Sequence, residues 1–591
     1  MKKGTKKNKQ KQEKRDKIIK NIVDVIFLSG LNLFSFIFLT ILVSTILFFF
    51  KIGIGYYNLI IAIIGTIAIT YTISKKKQLI HNTIAIFLAI AVLLFSMYIC
   101  SHTYDITYDG NTYHKLAIGL LRDGYNPVYE KDTEFIQSGK ASVNHQVGGS
   151  PWVQHYPKAS WIFSSNLYKV TNNIETSKVF VMLLIYITFC FSLSFFYKKT
   201  NIFFSFIISF LLAINPVSTT QAFSNYVDGA MGLLIYIIII SLINLSAYIE
   251  KEEDKKDTKK NWLILAMAII ICINLKFTGL VYAGMFCISF FLLWLYRAYK
   301  NGCLMKKMRN YLIYYLIVVG TSIFVVGYSS YITNTISHHN PLYPLVGKDK
   351  VDIMTNNSPV TFPERNPIDK FFTSMYAIPA NYKSNSSKET PKLRIPFKTN
   401  KEEIQLFNCP DLRISGFGVF FSGIFTISVI VIICYLVKFY IKKEFTKGNY
   451  ILAFLIVSLI LAIITDGSWW ARYSPYVYLL PILASYLLVL DKKIFKNLLC
   501  TALIILLAIN NYFILKVTVD TYIDYYKAIN PSMIKMKKIS DKKGSVDVAF
   551  REPTFTSQLY NMQDKNINFK IHKDVSVLKN PKYVNYFFYG E

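Results

Sequence analysis

Acidic residues are scarce in the apolar stretches of this chain and collect in a few polar connections, where Asp105, Asp109, Asp228 and Asp466 stand out. Asp105 and Asp109 belong to Tyr104-Asp-Ile-Thr-Tyr-Asp-Gly-Asn-Thr-Tyr-His114, the first long polar segment after the N-terminal tail. A partly desolvated carboxylate is a stronger base, so either residue suits removal of a proton from a hydroxyl. Asp109 is the leading candidate and Asp105 the second. The structural alternative is that Asp109 caps the following helix, because an Asp side chain accepts the free N–H groups of a first turn. Asp228 ends the otherwise uncharged segment Asn215–Gly229 and offers a second carboxylate to orient an acceptor, or again a helix cap.

Two cations complete the set. Lys276 interrupts an apolar run in Asn274-Leu-Lys-Phe-Thr-Gly279, where it is either a snorkelling side chain or a ligand for a lipid-linked phosphate. Arg472 is the one cation of Asp466-Gly-Ser-Trp-Trp-Ala-Arg-Tyr-Ser-Pro-Tyr-Val-Tyr478, and its planar fork suits a phosphate or a sugar carboxylate. Trp469, Trp470 and Tyr476 of that segment read as anchors at a membrane interface. His114, His155, Lys158, His339 and Arg413 are candidate substrate-loop residues, the alternative for the loop segments at 145–158, 338–344 and 411–418 being loop structure. His338-His339 lacks a spaced third ligand, so no metal site is assigned; no cofactor is inferred, and metal dependence stays open.

These residues need elements to hold them. Tyr113, Leu116, Ala117, Leu120 and Leu121 recur at helical spacing, and Asp123-Gly124 with Asn126-Pro127 stop the pattern. That predicts a short amphipathic helix on a membrane surface with Asp109 at its leading end. Ile162, Phe163, Leu167 and Val170 predict a second interfacial helix. Apolar blocks of bilayer-spanning length predict about thirteen spans, at 23–50, 57–73, 79–100, 177–196, 203–214, 230–248, 262–273, 278–295, 311–331, 416–437, 451–464, 475–490 and 498–515. The fold class is therefore an α-helical polytopic membrane protein, its core occupying 21–515.

With 591 residues, 53% of them hydrophobic and 16% aromatic, the chain is too apolar for an ordinary soluble domain. The net charge of +31 does not mark a nucleic-acid binder, because Lys and Arg sit in short clusters between apolar runs. Such clusters report topology. The tail 1–20 and the connections at 75–77, 198–199, 251–260, 297–309, 438–447 and 492–496 are basic and are assigned to the cytoplasm. The connections at 51–56, 217–228, 275–277 and 466–472 carry at most one basic residue each and are assigned outside. The long loops 101–175 and 333–413 and the C-terminal segment 516–591 join them on that side, in a multi-pass protein of the plasma membrane. Strand-like stretches at 545–550 and 566–571 around a helix at 556–562 predict a small α/β appendage. Eight cysteines without CxxC spacing form no disulfide or zinc framework.

The ordered motifs Asp109-Gly-Asn-Thr-Tyr-His114, Gly124-Tyr-Asn-Pro127, Tyr226-Val-Asp-Gly229, Lys276-Phe-Thr-Gly279, Asn340-Pro-Leu-Tyr-Pro344, Gly416-Phe-Gly418 and Arg472-Tyr473 resemble those of GT-C-fold glycosyltransferases. That class includes protein O-mannosyltransferases, the lipid A aminoarabinose transferase and oligosaccharyltransferase catalytic subunits. The resemblance implies a polyprenyl-phosphate-linked sugar donor drawn from the lipid bilayer. The acceptor would be an envelope glycan, lipid or protein hydroxyl at the outer leaflet, and transfer would be inverting. It implies Asp109 as general base, Asp228 as the second outer carboxylate, and Lys276 and Arg472 as donor-phosphate ligands. Two features depart from the class: Gly110 follows Asp109 where most relatives carry Glu, and Ala471 follows Trp469-Trp470 where an oligosaccharyltransferase carries Asp. The rival expectations are a polymerase or ligase using a diphosphate-linked donor, and a lipid or glycan flippase.

Overall fold

The computed structural model describes all residues except 1, 75–78, 144–149, 252–254, 382–389, 492 and 591. The basic cluster at 75–77, His145 and Lys492 lie outside the described residues. Among the described residues ten helices are long and apolar enough to cross a membrane, from Gln10–Phe49 at one end of the chain to Ile494–Lys543 at the other. Ile202–Ala213 and Pro475–Leu490 are apolar but shorter, and the range 262–273 is the apolar half of the helix Lys255–Ile273. All thirteen expected ranges are thus largely helical, while ten helices reach spanning length. Helix is what an apolar run must form in lipid, where no water satisfies backbone N–H and C=O groups.

The arrangement of the helices follows from which faces are apolar. Asp228–Lys251 is apolar on every side, and Met231 and Leu233–Ile238 are fully buried along its length. It runs through the interior of the bundle. Tyr56–Ile73 and Leu79–Ser101 bury only small or polar residues, Asn58, Ala62, Thr66 and Thr70 on one and Asn82, Ala85, Ala89, Ser96 and Cys100 on the other. Small residues let helix backbones approach closely, and polar ones supply interhelical bonds. Asn58 Nδ2 donates to Ser44 Oγ at 2.8 Å and Thr70 Oγ1 to Asn32 Oδ1 at 2.7 Å, both on the first helix. The large side chains of these two peripheral helices face outward.

Charged connections separate to the two ends of the bundle. At one end Lys438 pairs with Asp491 at 2.6 Å, joined by Lys496, and the Arg297 guanidinium lies 4.8 Å over Tyr450. At the other end the segments bearing Asp109, Asp228, Lys276, Asp411 and Arg472 meet. The helix Ile494–Lys543 continues well past the expected 515, with Pro531 inside it, and carries a four-stranded sheet. The strands are β1 (Val546–Phe550), β2 (Phe569–His572), β3 (Lys582–Val584) and β4 (Phe587–Tyr589), in the order β2-β1-β4-β3. β1 and β2 run parallel, linked through the helix Gln558–Asp564. The first two strands and the helix follow the sequence pattern. The unanticipated β3–β4 hairpin turns on Asn585 and Tyr586, both at positive φ, the backbone a two-residue hairpin turn requires.

Candidate active site

Asp109 is not a helix cap. Its backbone is helical (φ −60°, ψ −36°), and its side chain makes no capping bond. The cap is Thr107, whose Oγ1 accepts from Gly110 N at 3.1 Å. Thr107 is held by Asp105, which accepts from Thr107 N at 2.9 Å and Thr107 Oγ1 at 2.6 Å on one oxygen. The other oxygen accepts from Asn225 N at 2.8 Å and Asn225 Nδ2 at 3.0 Å. With the capping role filled two residues earlier, the Asp109 carboxylate is left free. The turn continues as a π-helical stretch, Gly110–His114, into the helix Lys115–Asp123. A Cβ at position 110 would lie 2.3 Å from both Asp105 Oδ2 and Thr107 Oγ1, so the glycine after Asp109 is dictated by this packing. The helix is amphipathic as its spacing predicts, but every residue from Lys115 to Leu121 is buried. Its polar face is covered by the C-terminal segment. Lys115 Nζ reaches Glu175 Oε1 at 2.5 Å and Asn561 Oδ1 at 3.1 Å.

Asp109 opens into a cavity of about 570 Å³. Asp228, Lys276, Asp411, Arg413 and Arg472 share its wall with Tyr113, His114, Tyr226, Trp470 and Tyr473. Arg472 lies at the centre. Its Nη1 is 3.9 Å from Asp109 Oδ2, 3.8 Å from Asp228 Oδ2 and 3.8 Å from Asp411 Oδ2. The guanidinium also stacks 4.1 Å from the Trp470 ring centre, with Tyr473 at 4.9 Å and Tyr226 at 5.5 Å. Nη2 donates to the Tyr473 hydroxyl at 2.9 Å, while Nε and Nη1 are buried without a hydrogen-bond partner. The three carboxylates hold the cation by charge at distances too long for hydrogen bonds, so its N–H groups remain available. Lys276 sits in the break between the helices Lys255–Ile273 and Phe277–Lys300. It pairs directly with Asp228 and lies 4.3 Å over the Tyr473 ring, which Arg472 also contacts.

This setting tunes two titratable groups. The Asp109 side chain is 28% exposed, toward the cavity that it lines. Burial raises its pKa to about 6, with Arg472 pulling down and Asp411 and Asp228 pushing up. Burial lowers His114 to about 3, so its imidazole is neutral at physiological pH. Trp161 Nε1–H, a donor only, donates a hydrogen bond to His114 Nδ1 at 2.7 Å, and the neutral ring therefore carries its hydrogen on Nε2.

The sequence-chosen residues divide cleanly by position. Asp109, Asp228, Lys276, Arg472, His114 and Arg413 all line the cavity. Arg413 also donates from Nη2 to Asn357 Oδ1 at 2.6 Å. Asp105 is fully buried in the capping network and does not line it. His155 contacts Asn334 Oδ1 at 2.7 Å and packs edge-on against His338 and Tyr343, tying the first loop to the long one. Lys158 is buried and donates to the carbonyls of Gln154 and Tyr156 at 2.9 Å. His339 is an exposed left-handed residue at a helix end. None of these three lines the cavity. Asp466 is exposed and pairs with Lys370 at 2.7 Å. Trp469, Trp470 and Tyr476 are interior side chains, at most 4% exposed, and not surface anchors.

Sequence reasoning missed Asp411, Trp470, Tyr108, Arg551 and Glu552 on the cavity wall. Asp411 had a signal, since it stands two residues before Arg413. Arg551-Glu552 had another, because ligand crevices form beyond the carboxyl ends of parallel strands and this pair directly follows β1. Among the described residues no group of three His, Cys, Asp or Glu side chains is placed to hold a metal ion.

No protein-family profile matches the chain, and no curated protein matches it. Among solved structures, the crystal structure of ArnT from Cupriavidus metallidurans in the apo state aligns with a TM-score of 0.45 at 9% identity, over 83% of this chain and 86% of that one.

Proposed function

We propose that the protein is a membrane glycosyltransferase of the GT-C type, moving a sugar from a polyprenyl-phosphate-linked donor to an acceptor hydroxyl at the outer leaflet. The observation that carries this reading is the buried Arg472 guanidinium, with two nitrogens unbonded, sharing a cavity with a carboxylate whose pKa is about 6. A phosphate seated on Arg472 meets the anion-matching fork of an arginine, with the Lys276 ammonium beside it. Asp228 is engaged with Lys276, so its role is to hold the two cations and not to orient the acceptor. Asp411 braces Arg472 from the other side.

In this mechanism the acceptor oxygen attacks the anomeric carbon from the face opposite the phosphate and gives its proton to Asp109. The bond between that carbon and the phosphate oxygen breaks as the new glycosidic bond forms, with inversion. Arg472 and Lys276 stabilise the charge on the departing lipid phosphate. The neutral His114 Nε2–H is available as a donor to a substrate hydroxyl or ring oxygen. A pKa near 6 leaves Asp109 ionised at neutral pH yet more basic than an ordinary carboxylate.

The test uses the purified full chain in lipid vesicles with a panel of polyprenyl-monophosphate- and diphosphate-linked sugars, reading glycosidic product. Asp109→Asn keeps the shape of the side chain and removes the base, and the expected loss is about 10²–10⁴-fold in kcat. Near-normal transfer by that variant would exclude Asp109 as base. Turnover of diphosphate-linked donors alone would replace the reading with a polymerase or ligase. Mass spectrometry of envelope glycans with and without the protein identifies the acceptor.

A further inference from the structure

The mouth of the cavity is built by the C-terminal segment. Tyr108, adjacent to the base, is 49% exposed and lines the cavity. A side chain so placed would ordinarily sample several rotamers, but this one is fixed by three contacts from residues more than four hundred positions away. Its hydroxyl donates to Glu552 Oε2 at 3.1 Å. Its ring meets Phe555 edge-on at 5.3 Å and Tyr586 at 6.5 Å. Those two rings are themselves stacked at 4.4 Å. The Tyr586 hydroxyl donates to Ile106 O at 2.9 Å, and Asn585 Nδ2 to Asp105 O at 3.1 Å, anchoring the hairpin turn to the same segment. The outcome is a half-exposed aromatic ring held in place beside Asp109.

Arg551 lines the same wall. Its backbone N–H donates to Tyr586 O at 3.1 Å, which places the residue at the cavity mouth, and its side chain is exposed. Among the described residues its guanidinium has no salt-bridge partner, whereas Lys276, Arg413 and Arg472 deeper in the cavity all face carboxylates. A rigid, exposed aromatic ring binds the apolar face of a sugar at little entropic cost, because little freedom is left to lose. An uncommitted guanidinium selects a carboxylate or phosphate.

We propose that Tyr108 and Arg551 form an acceptor subsite for an acidic carbohydrate, Tyr108 stacking on a sugar ring and Arg551 binding its anionic substituent. Glu552 is a positioning residue that fixes the Tyr108 ring. This assignment rests on the glycosyltransferase reading for the identity of the site as an acceptor site, but the binding it predicts is measurable without any donor.

The experiment is direct binding of cellobiose and of its uronic-acid analogue to the purified full chain in lipid nanodiscs, followed by saturation-transfer NMR or calorimetry. The acidic disaccharide should bind the wild-type protein at least about tenfold more tightly than the neutral one. Arg551→Gln should erase that difference while leaving weak binding of the neutral sugar. Tyr108→Leu should abolish binding of both, and Tyr108→Phe, which keeps the ring, should restore most of it. Equal affinities for the two disaccharides, or discrimination that survives Arg551→Gln, would overturn the proposal; so would absence of binding altogether. Arg551-dependent binding together with no transfer from any lipid-linked sugar would leave the subsite standing and remove the transferase reading. Transfer to acceptors that ignores Arg551 would do the reverse.

Discussion

At the scale of single residues the site is an electrostatic compromise centred on Arg472. Three carboxylates within 3.8–3.9 Å of one guanidinium nitrogen would be mutually repulsive without it, and the cation would be costly to bury without them. Burial lifts the Asp109 pKa to about 6, and the charges around Arg472 pull on it in both directions. As a base, Asp109 works in its ionised form, so kcat/KM should rise with pH through about 6 and level off above it. Asp411 raises this pKa and Arg472 lowers it. Asp411→Asn should therefore move the acid limb to lower pH, and Arg472→Gln should move it to higher pH while also lowering the plateau. A pH–rate profile of each variant checks the pair of opposite shifts. If both profiles keep the wild-type limb, the titrating group is not Asp109.

At the scale of elements, what matters is how one helical turn presents Asp109. The turn depends on Asp105, which accepts four hydrogen bonds from Thr107 and Asn225. Asp105→Asn turns one acceptor oxygen into a donor facing donors, and the expected cost is about 1.5–3 kcal/mol of stability. The unfolding temperature should fall accordingly, with the acid limb of the kcat/KM profile of the folded enzyme unmoved; near-complete loss of transfer with unchanged unfolding would restore Asp105 as a base. Much of this helix was legible in the sequence. Its apolar spacing and its end at Asp123, where Gly124 takes φ 110°, follow from local rules. Its start was misplaced by two residues because Thr and Asp both cap well. The choice between them is settled by Asn225, 120 residues from Asp105, which no local pattern contains. The aromatic residues at 469, 470 and 476 were misplaced for a related reason. An interfacial Trp and a Trp buried against an arginine look alike in a sequence read one segment at a time.

At the scale of the molecule, spans and charge clusters read from the sequence brought Asp109, Asp228, Lys276 and Arg472 to one end of the bundle. The structure then closes that end with the C-terminal segment, through contacts such as Ser557 Oγ to Asn111 O at 2.5 Å across 446 positions. A second tie is Asp564, which accepts from the Tyr168 hydroxyl and from Ile174 N, both at 2.7 Å. Burial lifts its pKa from 3.8 to about 7, with these two bonds and Arg122 opposing. Because the folded pKa exceeds the unfolded one, folding takes up a proton. The stabilisation is therefore complete below about pH 4 and is lost progressively as pH rises through 7. Asn at this position reproduces the protonated acid, since its amide can donate to Tyr168 and its carbonyl can accept from Ile174 N. Hydrogen-exchange protection of residues 546–572 should thus be greater in Asp564→Asn than in the wild type, by a margin that widens between pH 5 and 7 and is constant above. Comparing the two proteins at each pH cancels the intrinsic exchange rate. A margin that does not change with pH would show that Asp564 is ionised in the docked state throughout, with Arg122 and its two donors outweighing the cost of burial.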